Sequence, residues 1–132
     1  LKAGDVIALS GALGTGKSAL ARSIIQAIDP TEDDVPSPTF TLVQHYALAD
    51  GTPLWHLDLY RIDEAQDAMA LGLDDAFVDA VCLIEWPDRL KKFLPKKHSR
   101  FFYYVFLFYK SKIPSYIIYK ELSECVKKKK NL

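Results

Sequence analysis

The sequence has little cysteine, no long apolar segment and no excess of either charge. Its two cysteines, Cys82 and Cys125, stand far apart, so no metal-binding or disulfide-exchange spacing is present. No secretory signal is visible, and the apolar run at residues 101–109 is too short for a helix that spans a membrane. We therefore expect a cytoplasmic protein with no membrane partner, in which Cys82 belongs to the core.

Charge is divided unevenly along the 132 residues, although the formal net charge is zero. Residues 1–100 contain 10 basic and 15 acidic side chains, a net of −5, whereas residues 101–132 contain 7 basic and 2 acidic ones, a net of +5. The acidic body is therefore not, by charge alone, a surface for nucleic acid. The length is that of one domain.

Residues 11–18 carry the clearest motif, Gly-Ala-Leu-Gly-Thr-Gly-Lys-Ser, which fits the phosphate-binding pattern G-x-x-x-x-G-K-[ST]. Its glycines let the backbone curl so that N–H groups converge on a phosphate. Lys17 then reaches the β- and γ-phosphates, and the Ser18 hydroxyl binds Mg²⁺. The predicted nucleotide-binding residues of this loop are Gly11, Ala12, Leu13, Gly14, Thr15, Gly16, Lys17 and Ser18.

The surroundings of this loop support the match. Residues 5–10 form a short apolar run, as expected of a buried parallel strand. Residues 19–28 lack Gly and Pro, and Leu20, Ile24 and Ile28 predict one face of a helix that closes at Asp29 and Pro30. The loop donors then lie at a helix N-terminus, where the dipole also favours an anion.

Two threonines follow in the sequence Ser-Pro-Thr-Phe-Thr at residues 37–41. Thr39 or Thr41 is a candidate for sensing the γ-phosphate and its Mg²⁺. The alternative is an ordinary start of a strand, since residues 40–43 include several β-formers. The spacing does not separate these two interpretations.

Residues 40–46 and 54–60 predict an antiparallel hairpin, because turn residues lie between them at positions 49–53. His56 and Asp58 share one face of the second strand. A carboxylate in a mostly apolar strand needs a partner, so Asp58 is a candidate contact for Mg²⁺ or water, with a salt bridge to Arg61 as the alternative. We interpret His56 as structural.

The segment from 63 to 87 predicts a helix, a strand and an acid at the end of that strand. Residues 63–71 form the helix, ended by Gly72, and residues 74–78 add a further turn. Residues 80–87 are a continuous apolar run that delivers Glu85 to the ligand-binding edge of the sheet. Glu85 then faces Mg²⁺ or its waters; the alternative is a solvated acid, and Trp86 is either core or a nucleotide contact.

Five separated motifs together resemble the TsaE (YjeE) family: the loop at 11–18, Ser-Pro-Thr-Phe-Thr-Leu-Val, His-Leu-Asp-Leu-Tyr-Arg, Leu-Gly-Leu and Leu-Ile-Glu-Trp-Pro. The resemblance covers about residues 3–96. It implies an α/β protein with a P-loop NTPase-like mixed sheet flanked by helices and a hairpin insertion. It also implies a P-loop ATPase, using ATP and Mg²⁺, that supports the tRNA threonylcarbamoyladenosine modification complex.

The resemblance further implies binding to TsaD and TsaB-like threonylcarbamoyl transferase subunits, little activity alone, and contact with tRNA only through that complex. By motif position, the Mg²⁺ ligands are Ser18 and Glu85, and the switch-like threonine is Thr39. The catalytic residues are Lys17, Asp58 and Glu85.

The sequence departs from the family pattern in three places. Ala12 stands where an acid is common, and the family's N-terminal strand and helix have no counterpart before Leu1, so we expect that residues precede it. From residue 101 the composition changes, with nine of the 16 aromatic residues in the last 32 positions. We therefore divide the chain into a P-loop ATPase domain, 1–100, and an atypical aromatic and Lys-rich tail, 101–132, foreign to the family, as after a frameshift.

Two functions of other classes remain as alternatives. A small-molecule P-loop kinase usually carries an arginine-rich lid, whereas the arginines here, Arg22, Arg61, Arg89 and Arg100, are scattered. A nucleotide-dependent binding module without turnover needs only the phosphate loop.

Overall fold

The computed structural model describes residues 1–13, 16–32, 34–38 and 41–95, and the backbone of two later strands, 101–108 and 114–119. These parts of the chain form one six-stranded sheet flanked by helices. The elements in chain order are β1 Val6–Gly11, α1 Lys17–Ile28, β2 Val43–Ala47, β3 Pro53–Asp58, α2 Ala65–Met69, α3 Leu73–Asp79, β4 Val81–Glu85, a 3-10 helix Pro87–Phe93, β5 Phe101–Phe108 and β6 Pro114–Tyr119.

The strands lie in the order β2-β3-β4-β1-β5-β6. The four central strands run parallel, whereas β2 and β6 pair antiparallel at the two edges. The register pairs Leu9 with Glu85 and Asp58 with Glu85. The carboxyl ends of β1, β3 and β4 therefore meet at one edge of the sheet, which is where open α/β sheets bind ligands.

The apolar run in β1 is buried on both faces of the sheet, as a central parallel strand requires. Ile7 and Leu9 face α1, whose Ala21 and Ile25 are fully buried against them. Leu20, Ile24 and Ile28, the predicted face of this helix, flank that contact and are only partly buried. The first core cluster consists of Ile7, Leu9, Ala21, Ile25, Val35, Leu54, Val81 and Leu83.

The opposite face of the sheet packs against α2, α3 and the 3-10 helix. Cys82 lies in this second core cluster, where burial raises the pKa of its thiol to about 12. Its predicted place in the core is confirmed, whereas Cys125 lies outside the described residues. The cluster consists of Val6, Ala8, Leu57, Leu59, Ile62, Ala68, Leu73, Ala76, Ala80, Cys82, Ile84 and Leu90.

The predicted hairpin is confirmed, but its strands are shorter than expected. β2 begins at Val43, because Leu42 has a left-handed backbone, φ 66°, which an extended strand does not tolerate. The amide of Leu42 donates to the Pro38 carbonyl at 2.7 Å, and its own carbonyl accepts from the Asp58 amide at 3.1 Å. The turn before β2 is thereby fixed to the end of β3.

The predicted helix at 63–71 is also shorter, because α2 spans only Ala65–Met69. Gly72 has φ 94° and immediately precedes α3, which covers the further turn expected at 74–78. A β-carbon at Gly72 would meet the Trp55 ring at 3.7 Å, an ordinary contact, so the positive φ is what selects glycine there.

The sheet continues beyond the predicted domain boundary at residue 100. β5 pairs in parallel with β1 from Val6 to Gly11, and β6 pairs antiparallel with β5. The division into 1–100 and 101–132 stays a prediction. Within the described residues, no helix is long and apolar enough to cross a membrane.

Candidate functional site

The loop after β1 enters α1 through Gly16, whose φ of 96° and ψ of 17° place it in the left-handed region. Lys17 begins the helix and is 5% exposed. Its ammonium donates to the carbonyl oxygens of Gly11 at 2.9 Å and Ala12 at 2.7 Å. The lysine therefore links the start of α1 to the end of β1, and its charged end stays at the carboxyl edge of the sheet.

Glu85 ends β4 and is 1% exposed. Its Oε1 accepts a hydrogen bond from the Ser18 hydroxyl at 2.7 Å, and its Oε2 lies 3.1 Å from His56 Nε2. Both neighbouring strands fix the backbone beside it, because the Leu59 amide donates to its carbonyl and the Trp86 amide donates to Leu9. A buried carboxylate needs such partners.

Electrostatics at the site act on Lys17 in two directions. Burial of its ammonium lowers the pKa of Lys17 below 10.5, whereas the negative charges of Glu85 and Asp58 raise it. Asp58 is 6% exposed, and its Oδ1 accepts the Tyr60 amide at 3.0 Å. Two acids and one amine therefore share this end of the sheet.

Trp86 adds an aromatic wall beside the lysine. Its backbone is left-handed, φ 59° and ψ 54°, where the chain turns from β4 into the 3-10 helix. The Lys17 ammonium lies 4.2 Å from the Trp86 ring centroid, and the Tyr60 ring lies 4.9 Å from it. Trp86 also packs against the second core cluster, which confirms the core interpretation, while the nucleotide contact stays a prediction.

These side chains surround a cavity of about 430 Å³. A cleft of this size is at the lower end of those that hold a small ligand. Its lining residues are Leu13, Gly16, Lys17, Ser18, Ala19, Asp58, Tyr60, Arg61 and Trp86.

The residues present fit a Mg²⁺ ion bound together with a phosphate. Mg²⁺ is usually held by one or two carboxylates, waters and substrate oxygens rather than by an all-protein cage. Ser18 and Glu85 supply one hydroxyl and one carboxylate within 2.7 Å of each other. Across the described ranges no group of three His, Cys, Asp or Glu is arranged for a metal.

The structure brings most of the predicted site residues together. Lys17, Ser18, Asp58 and Glu85 meet at one sheet edge, whereas Thr41 is exposed and its hydroxyl accepts from Gln44. Arg61, the alternative partner of Asp58, lies in the cavity wall. The predicted residues Gly14, Thr15 and Thr39 lie outside the described residues.

Two features of the site are missing from the sequence interpretation. The first is the contact of His56 with Glu85. Local sequence patterns do not reveal it, because the two residues are 29 positions apart and lie on different strands. The second is the aromatic wall of Tyr60 and Trp86. The shared strand face of His56 and Asp58 was the available signal for the first.

The fold and the site define a mixed-sheet α/β protein in which a strand, a glycine-rich loop and a helix face an acid at the end of the adjacent strand. Comparison with known proteins agrees with this class. The sequence model of the family described as "Threonylcarbamoyl adenosine biosynthesis protein TsaE" matches residues 1–105. The chain belongs to the TsaE family.

Curated relatives carry the name tRNA threonylcarbamoyladenosine biosynthesis protein TsaE. The chain is 39% identical to that of Haemophilus influenzae over 69% of its own length and 57% of the relative's. It is 41% identical to that of Mycobacterium bovis, over 74% of its own length and 62% of the relative's. It is also 41% identical to that of Bacillus subtilis, over 73% of its own length and 59% of the relative's. The chain thus spans about three fifths of the length of the curated relatives it matches.

A solved structure shares the fold. The crystal structure of YdiB from Bacillus subtilis superposes with a TM-score of 0.68 over 99% of this chain and 80% of that chain, at 26% identity. The predicted fold class and family are therefore confirmed.

Proposed function

We propose that the chain is a Mg²⁺-dependent ATPase that supports the tRNA threonylcarbamoyladenosine modification complex. The observation that carries this proposal is the convergence of Lys17, Ser18 and Glu85 at the carboxyl edge of the sheet, beside the cavity. An amine, a hydroxyl and a carboxylate around a helix N-terminus are the groups that a Mg²⁺–triphosphate needs. Membership of the TsaE family supports the pathway.

The lysine supplies the positive charge. In the structure, loop carbonyls hold the ammonium of Lys17, and a phosphate oxygen is a stronger partner for it because that hydrogen bond joins opposite charges. Lys17 then binds the β- and γ-phosphates, and the backbone at Gly16 lets the loop approach them.

The carboxylates act on the metal side and on water. Ser18 and Glu85 would hold Mg²⁺, which when bound neutralises charge that develops on the phosphate oxygens. Asp58 lies in the cavity wall, 6% exposed. Its carboxylate accepts a hydrogen bond from water and orients that water toward the γ-phosphate.

The partners are TsaD and TsaB-like threonylcarbamoyl transferase subunits, with tRNA reached through them. The support comes from the name of the family and of its curated members, which places them in threonylcarbamoyladenosine biosynthesis. In this proposal the partners raise a low intrinsic rate of hydrolysis.

The test measures ATP binding and phosphate release by the chain alone and with the two transferase subunits, each with Mg²⁺ or with chelator. We expect tight binding alone and phosphate release that rises when the subunits are added. Binding without release under every condition would indicate a binding module, and transfer of phosphate to an added small-molecule acceptor would indicate a kinase. Lys17→Ala is the inactive control.

A further inference from the structure

His56 is a buried side chain on β3 whose ring points at the carboxylate of the proposed site. It is 1% exposed, and its Nε2 lies 3.1 Å from Glu85 Oε2. The register pairs Asp58 with Glu85 and His56 with Leu83. His56 therefore contacts Glu85 diagonally across two neighbouring parallel strands, from a position two residues further from the carboxyl edge of the sheet.

The hydrogen bond to Glu85 needs a proton on one nitrogen of the imidazole ring. An ionised carboxylate only accepts hydrogen bonds, so Nε2 must be the donor to Glu85. His56 Nδ1 is buried and has no hydrogen-bond partner among the described residues. The contact with Glu85 therefore requires a proton on Nε2.

This contact divides the two oxygens of Glu85 between two tasks. Oε2 is held by His56 in the interior, and Oε1 accepts from Ser18, which lines the cavity. We propose that His56 is a positioning residue that locks the Glu85 carboxylate so that Oε1 faces Ser18 and the Mg²⁺ position. This inference rests on the proposed function, and it assigns to His56 a role beyond the structural one expected from the sequence.

Mutation of a group that is hydrogen-bonded to a metal ligand commonly lowers the affinity for the metal by about 10- to 100-fold. The first experiment replaces His56 in the full chain. His56→Gln places an amide N–H near the position of Nε2, His56→Asn places it near Nδ1, and His56→Leu removes the donor. His45→Gln is the matched control, because His45 is exposed on β2, where its ring packs at a steep angle against the Trp55 ring.

The readout is binding rather than activity. Calorimetry with a non-hydrolysable ATP analogue, repeated over a range of Mg²⁺ concentrations, gives the affinity of the nucleotide complex for Mg²⁺. We expect His56→Asn and His56→Leu to weaken Mg²⁺ binding by about 10- to 100-fold, and His56→Gln and His45→Gln to keep it. Analogue affinity in chelator should not change. Folded Asn and Leu variants with wild-type Mg²⁺ affinity would overturn the proposal.

A second measurement needs no variant of His56. Imidazole ¹⁵N–¹H spectra of the wild-type chain show which ring nitrogen carries the proton. We expect a proton on Nε2, with its signal displaced in Glu85→Gln. A ring without a proton on Nε2 would overturn the proposal even if the variants failed to fold. If the wild-type chain bound no nucleotide, the proposed function would fail, while this spectrum would still decide whether His56 holds Glu85.

Discussion

Lys17 balances two opposing effects at one position. Burial disfavours its charged form, while Glu85 and Asp58 favour it. The contacts with Gly11 and Ala12 hold its ammonium at the sheet edge. In the proposed function this cation therefore does not have to be ordered when a phosphate binds.

Replacing this lysine tests the phosphate site. Lys17→Ala removes charge-assisted hydrogen bonds of roughly 1.5–3 kcal/mol, which corresponds to an ATP affinity on the order of 10- to 100-fold lower. Calorimetric titration with ATP measures the change. Lys92→Ala is the control, since Lys92 is exposed and lies 5.3 Å from the Phe93 ring, outside the cavity wall. Unchanged ATP affinity and hydrolysis in Lys17→Ala would contradict the phosphate site.

Glu85→Gln separates metal use from nucleotide binding. The amide keeps an oxygen that accepts from Ser18 but loses the charge that attracts Mg²⁺. We expect ATP binding in chelator to persist, because backbone N–H groups hold the phosphates. The rate of Mg²⁺-dependent hydrolysis should fall by about 100-fold or more, because the variant loses several kcal/mol of charge stabilisation in the transition state. Phosphate release checks this, with the exposed Glu64→Gln as control; a wild-type rate would make Glu85 only a buried strand-end acid.

At the scale of elements, local sequence patterns predicted a strand with its own apolar signature. They missed the features that depend on contacts between distant parts of the chain. The run at 5–10 was enough to predict β1, since a strand buried on both faces is continuously apolar. The left-handed Leu42 was not predictable, because its carbonyl is held by Asp58 from another strand. Nor was the pairing of β4 with both β1 and β3, which creates the contact of His56 with Glu85.

Substitution of two glycines with similar backbone angles can distinguish an effect on stability from an effect on ligand binding. Gly16 has φ 96° just before α1 and Gly51 has φ 88° in the hairpin turn, and a β-carbon at either would meet no other part of the described structure within 4 Å. Alanine at either position should lower the free energy of unfolding by roughly 1–2 kcal/mol, because the left-handed backbone is strained for an L-residue. Urea denaturation measures this loss.

Only the first of these substitutions should affect the ligand. Gly16 lines the cavity and precedes Lys17, so a change in its backbone displaces the loop donors. We expect weaker ATP binding by Gly16→Ala and unchanged binding by Gly51→Ala. Equal nucleotide affinities in the two folded variants would mean that the left-handed backbone at Gly16 is needed for folding alone.

At the scale of the whole molecule, the site depends on the centre of the sheet. β1 lies between β4 and β5, and it leads directly into the loop and α1. Among the residues whose side chains the structure describes, those of the site lie between residues 13 and 86, whereas β5 is described through its backbone pairing with β1. Binding and stability should therefore respond differently to removal of the C-terminal strands.

Truncation tests that separation. A chain ending at Lys112 keeps β5 and loses β6, whereas one ending at Arg100 loses both and leaves β1 with an unpaired side. Unpaired strand edges destabilise a sheet and promote association. We expect the first chain to melt closer to the full chain and the second to melt lower, by circular dichroism. Each chain that folds should bind ATP as the full chain does, because the site residues are present in both. A folded chain ending at Arg100 without ATP binding would show that residues after 100 contribute to the nucleotide site.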